Sequence, residues 1–141
     1  MLWLLDTNVV SDFWKPQPNP GAEAWLEENK EECALSESTF GELHYGIHRL
    51  PFGKRRADLV RRISFLREDY WDVILPFGSA ESEAWGQYAA EVFASQGKKF
   101  WTAHTIRDSA LAATARAWSL IVVTRDTSHF PFVDTLNPFT A

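Results

Sequence analysis

Leu2-Trp3-Leu4-Leu5-Asp6-Thr7-Asn8 is the stretch on which the fold turns. Four apolar residues run straight into an acid and two small polar residues. The run is too short for a helix and apolar on both faces, which is the pattern of a buried parallel strand. Asp6 then stands at the carboxyl end of that strand, where open α/β sheets place their ligands. Thr7 or Asn8 is suited to cap a following helix.

Working outward, Val9 to Phe13 reads as a short helix, stopped by Pro16, Pro18 and Pro20. Gly21 to Lys30 resumes as an amphipathic helix, and Glu32 to Leu35 as a second short strand. Ser36 and Ser38 are capping residues for a helix from about Thr39 to Arg49, with Phe40, Leu43 and Ile47 as its apolar stripe. Pro51-Phe52-Gly53 breaks the chain. Lys54 to Asp69 reads as a helix with Leu59, Val60, Ile63 and Leu66 inward. Asp72 to Leu75 is a third strand, and Ser79 is expected to cap a long helix to about Ser95, closed by Gln96-Gly97. Thr105 to Asp108 resembles a capping box, with an alanine-rich helix from Ser109 to Trp118 behind it. Leu120 to Thr124 is the clearest strand of all, β-branched and apolar on both faces. Val133 to Leu136 closes the chain as an edge strand. Strands alternating with helices predict a mostly parallel, doubly wound sheet of four to five strands with helices on both sides.

The whole chain sets bounds. Its 141 residues predict a single domain spanning 1–141. Seven tryptophans and ten phenylalanines are many for this length, so several must be buried or lie at an interface. The net charge of -5 argues against direct DNA binding by this chain. The single cysteine, Cys33, cannot form an internal disulfide and fits a reducing, cytoplasmic setting. No apolar run reaches membrane-spanning length, and no signal peptide is evident.

Four acids are placed to converge. Asp6 and Asp126 both follow apolar strands, and parallel strands deliver both to the same sheet edge. Asp108 falls near the start of a helix that must begin near that edge, and Glu42 lies early in another helix that follows a strand. Taken singly, each has a purely structural explanation: a cap, a capping-box acid, a turn residue, a surface acid. Together they form a carboxylate cluster that a divalent cation would make tolerable. All-oxygen ligands suit magnesium or manganese, and the matching chemistry is metal-assisted phosphodiester hydrolysis.

At these residues the chain resembles a known family. Leu4-Leu5-Asp6-Thr7-Asn8-Val9-Val10-Ser11 is similar to the opening motif of PIN-domain proteins. Thr39-Phe40-Gly41-Glu42-Leu43-His44-Tyr45-Gly46 resembles their E-L-x-x-G helix, and the run from Arg107 to Ala115 their D-x-x-I-A-A-T-A helix. Val123-Thr124-Arg125-Asp126-Thr127-Ser128-His129-Phe130 resembles their T-R-N/D-x-x-D-F segment. Leu136-Asn137-Pro138-Phe139 and Pro16-Gln17-Pro18-Asn19 resemble the VapC/FitB branch of type II toxin–antitoxin toxins. The four motifs occur in order over nearly the whole chain.

The resemblance implies a PIN-like three-layer sandwich and an endoribonuclease using Mg2+ or Mn2+ at Asp6, Glu42, Asp108 and Asp126. Thr7 and Thr124 would orient acids or water. It also implies a homodimer, inhibition by a cognate DNA-binding antitoxin, and a heterotetramer or larger assembly with it. His129 departs from the pattern, standing where the family often has Asp, and Leu111 replaces the usual Ile. Arg107 stands beside an expected ligand, where it either pairs with Asp108 or reaches a phosphate, and Arg125 is a further candidate phosphate contact. Arg55 and Arg56 belong to a run from Arg49 to Arg67 that holds seven of the fourteen basic residues and one acid, which reads as a phosphate-contacting patch or a solvated helix face. His44 and His48 have two-histidine spacing but lack the acid of a zinc-protease motif, so core or surface roles are expected. Trp85, Tyr88 and Val92 form a packing stripe. Two rival readings are a catalytically silent PIN-fold binding module and a magnesium-binding receiver-type signalling domain. The second needs a lysine after a late strand, where this chain has Arg125.

Overall fold

In the computed structural model, which describes residues 1–140, the stretch that opens the chain becomes the central strand. Strand β1 (Trp3–Leu5) pairs in parallel with β2 (Cys33–Ser36) on one side and β4 (Ile121–Val123) on the other. Strands β3 (Ile74–Leu75) and β5 (Thr135–Leu136) extend the two edges, also in parallel. The order is β3-β2-β1-β4-β5. The chain therefore builds outward from β1 in one direction and then returns to build in the other. The reversal falls between β1 and β4, and a crevice opens at the carboxyl ends of strands at such a switch.

The two-residue period of the strands sorts their side chains into two cores. Leu4, Ala34 and Val122 face α5 (Ser79–Gln96) and α6 (Ala103–Trp118), where Tyr88, Val92, Leu111, Ala112 and Ala115 meet them. Leu5, Leu35 and Val123 face the other way, onto α1 (Thr7–Asp12), α3 (Glu37–His48) and α4 (Lys54–Asp69), through Val9, Phe40, Leu43, Ile47 and Ile63. Helix α2 (Pro20–Asn29) covers one end, its Trp25 set edge-on against Trp3. Small residues let α6 lie close to the sheet: Ala112, Ala113 and Ala115 are fully buried.

Several local expectations change. Helix α1 begins earlier than Val9, because Asp6 is itself the cap: its carboxylate accepts from Thr7 N at 2.7 Å, so neither Thr7 nor Asn8 does that work. The capping box at Thr105 to Asp108 is overturned. The helix starts at Ala103, capped by Thr102, whose hydroxyl accepts from Thr105 N while Thr105 Oγ1 accepts from Thr102 N. Asp108 is thereby moved into the second turn. Ser79 is not a cap either, since the Glu81 carboxylate satisfies Gly78 N at 2.7 Å. On α4 only Ile63 is buried, and Val60 is exposed because that helix packs by one narrow edge. Tyr88 and Val92 pack inward as expected, while Trp85 is 41 % exposed.

Candidate active site

Each acid reaches the crevice from a different element. Asp6 ends β1, Glu42 lies midway along α3, and Asp108 is in the second turn of α6. One carboxylate oxygen from each lies within 4.8 Å of the other two. Asp126 follows β4 and lines the same cavity, of about 260 Å³, without joining that closest group. Thr7, Asn8, Ser11, His104, Arg107 and His129 complete the walls.

The hydrogen bonds here aim the acids. Thr124, fully buried, donates its hydroxyl to Asp6 Oδ2 at 2.8 Å and accepts from Asp126 N at 3.0 Å. Asn8 Nδ2 reaches Asp6 Oδ2 at 3.3 Å, Thr124 Oγ1 at 3.3 Å and Asp126 Oδ2 at 3.2 Å. Its Oδ1 accepts from Arg125 N at 3.2 Å, so one amide ties the end of β1 to the loop after β4. Asp108 Oδ2 lies 2.9 Å from His129 Nδ1. The His129 ring stacks on His104, which in turn accepts from Arg107.

Burial and like charge set the protonation. The Asp6 carboxyl is pushed up to about 7, first by burial and then by the negative charges of Asp108 and Glu42, against the opposing bonds from Thr124 and Thr7 N. Glu42 is raised by burial and by Asp108, with Thr7 and Arg107 acting the other way. Asp108 is raised by burial and held down in part by His129. Thr7 Oγ1 is buried without a hydrogen bond of good geometry, although it lies close enough to Glu42 to favour that carboxylate. Three clustered carboxylates whose repulsion His129 and Arg107 offset only in part, beside an unsatisfied hydroxyl, fit a hard divalent cation such as Mg2+ or Mn2+.

The expected cationic contacts separate. Arg107 lines the cavity. Arg125 turns away, its guanidinium 3.6 Å from buried Asp12 and 4.1 Å from the Phe139 ring centroid. Arg55 lines a groove between α3 and α4, and Arg56 stacks on Phe52 and bonds to His48. Neither enters the carboxylate cavity. His44 and His48 are exposed. The linking role of Asn8 escaped the sequence reading, which saw only a capping residue; its signal was the Asp-Thr-Asn triplet itself. His104 lies in a stretch without readable periodicity and had no signal.

The arrangement is a parallel α/β sheet with acids gathered at its switch point, and the PIN domain family matches residues 3–134. The chain belongs to the PIN-domain family of ribonucleases, as a toxin of the VapC/FitB type. It is 35 % identical over 140 residues to VapC ribonuclease Y4jK of Sinorhizobium fredii, covering 96 % of both chains. It is 36 % identical over 129 residues to Toxin FitB of Neisseria gonorrhoeae, covering 90 % of this chain and 89 % of that one. The crystal structure of FitAcB from Neisseria gonorrhoeae superimposes with a TM-score of 0.86 at 35 % identity, over 99 % of this chain and all of the other.

Proposed function

We propose that this toxin is an endoribonuclease that hydrolyses RNA phosphodiester bonds with Mg2+ or Mn2+ held by Asp6, Glu42 and Asp108, and with Asp126 as an outlying fourth acid. The observation that carries this reading is the convergence of three carboxylates from three separate elements within 4.8 Å. When bound, such a cation neutralises charge on the phosphate and leaving oxygen and lowers the pKa of the attacking water. The protein's own share is positioning. Thr124 fixes Asp6 through its 2.8 Å bond. His129 fixes Asp108. The free hydroxyl of Thr7, beside Glu42, is placed to orient water. Arg107 supplies a positive charge on the wall for a phosphate oxygen.

The same reading extends to partners. FitAB and FitAcB are two-component complexes, one of them bound to a DNA fragment. By likeness we assign this chain a homodimeric state and a DNA-binding antitoxin that inhibits it, in a heterotetramer or larger assembly. The buried, unpaired thiol of Cys33, pushed up to about 12 by burial, fits a cytoplasmic setting. Among the described residues, no helix is long and apolar enough to cross a membrane.

The test is cleavage of a mixed small-RNA pool by antitoxin-free protein in magnesium, in manganese and in chelator, beside Asp6→Asn. Metal-dependent cutting that the variant loses supports the reading. Absence of both cutting and metal binding overturns it in favour of a silent binding module.

A further inference from the structure

A second cavity, of about 370 Å³, opens beside the carboxylates and shares Glu42 and Arg107 with them. That volume lies in the range of small-ligand sites. Its distinguishing wall is Tyr45, one turn beyond Glu42 on α3 and 51 % exposed. The floor is smooth, formed by Gly41 and Ala110. A Cβ built on Gly41 would meet nothing within 4 Å, so that side is open. No part of the core depends on the Tyr45 ring.

The Tyr45 ring faces a guanidinium without closing on it. Arg107 Cζ lies 5.8 Å from the ring centroid. Three arginine–aromatic pairs, Arg56 on Phe52, Arg67 on Phe40 and Arg125 on Phe139, are closed at 4.1 Å, while Arg49 over the same Tyr45 ring and Arg116 over Tyr88 stand open at 5.5 and 5.6 Å. A flat ring slotted between two surfaces needs about 3.5 Å on each side, or about 7 Å in all. Arg107 is exposed and restrained by a single 3.2 Å bond to His104, so an outward shift of about an ångström opens the slot. Tyr45, Gly41 and Ala110 give the cavity an aromatic and apolar surface that suits a nucleobase, and Arg107 stands between it and the carboxylates. Because the carboxylates share a wall with this cavity, a phosphodiester at the acids puts its neighbouring nucleoside at the slot.

We propose that Tyr45 and Arg107 form a stacking slot for the nucleobase next to the scissile phosphate of single-stranded RNA, making Tyr45 a substrate-binding residue that holds the base against the polar groups beside it. This rests on the nuclease reading above. Stacking on an aromatic face is tolerant of base identity. Selection among bases falls to the polar groups on the rim, the Ser38 hydroxyl and the Glu42 carboxylate.

The test compares wild type, Tyr45→Phe and Tyr45→Ala on a single-stranded RNA pool of random sequence, reading KM, kcat and cut-site preference. Affinity for a labelled RNA oligonucleotide is measured in parallel in an Asp6→Asn background. The phenylalanine variant keeps KM within about twofold of wild type, and the alanine variant raises KM and weakens oligonucleotide binding by about tenfold. The alanine variant also loses base preference at one position beside the cut. Wild type that cuts, with Tyr45→Ala unchanged in KM and cut-site preference, overturns the slot and leaves the nuclease reading intact. Wild type that fails to cut overturns the nuclease reading itself, and the slot with it.

Discussion

Glu81 and Asp6 are buried almost equally, 3 % and 4 % exposed, in opposite kinds of surroundings. Glu81 sits at the start of α5, where one oxygen accepts from Gly78 N at 2.7 Å and the other from Trp118 Nε1 at 3.0 Å. Two donors meet two oxygens, and the acid stitches α5 to the end of α6. Asp6 has more donors, from Thr7 N, Thr124 and Asn8, yet its carboxyl is pushed up to about 7. What sets its surroundings apart is the company of Asp108 and Glu42, whose negative charges add to the larger effect of burial. Burial alone therefore does not mark a site. The mark is a set of acids brought together by separate elements, whose mutual repulsion the neighbouring Arg107 and His129 offset only in part.

Breaking the comparison at the cluster has the largest expected effect. Asp6→Asn is expected to lower metal-dependent RNA cleavage by more than about a hundredfold, since loss of even an outer-shell partner costs up to that much. Its thermal melt in chelator should be no lower than that of wild type. A variant that cuts normally would remove Asp6 from the chemistry. At the other acid, Glu81→Ala strands two donors and should cost about 2 kcal/mol of stability by denaturant titration. Cleavage per folded molecule should stay unchanged, and a loss of cleavage would blur the distinction between the two acids.

Thr124→Val sharpens the contrast from within the site. It removes the hydroxyl that orients Asp6 while keeping the shape, and should weaken Mn2+ affinity by about tenfold, measured by calorimetry. The smallest effect is one of pH. Asp6 titrates near 3.8 when unfolded and at about 7 when folded. Between those values the folded state holds the extra proton, so metal-free stability falls as pH rises through that window. In chelator, the melting advantage of Asp6→Asn over wild type should grow steadily as the pH rises from 4 to 8. A constant difference across pH would show that neither burial nor like charge raises the Asp6 carboxyl.

Strand positions were legible because two-sided apolar runs such as Leu2 to Leu5 and Leu120 to Thr124 have few other uses. Helix starts were less so. Thr105 offered a capping box by spacing, but Thr102 won the cap, because its backbone and side chain could exchange bonds with Thr105 while Thr105 Oγ1 also reached Phe100 O. Several hydroxyl residues lay within one turn, and the choice among them depended on where the preceding chain arrived. The run from Arg49 to Arg67 read as a phosphate-contacting patch or a solvated helix face, and tertiary neighbours divided it: Arg67 pairs with Glu37 and Arg56 with His48 and Phe52.

By itself the sequence determined that strands and helices alternate, that the sheet is parallel, and that Asp6 and the residues after Val123 emerge at one edge. Those follow from local apolar period and from the geometry of parallel connections, both properties of neighbouring residues. Only the tertiary structure decided that Asp6, Glu42 and Asp108 come within 4.8 Å while Asp126 stands slightly apart. It also decided that Asn8 links β1 to the loop after β4 and that Arg125 turns to Asp12. Distances between side chains on separate elements depend on how helices seat against the sheet, and that seating is set by the whole core at once.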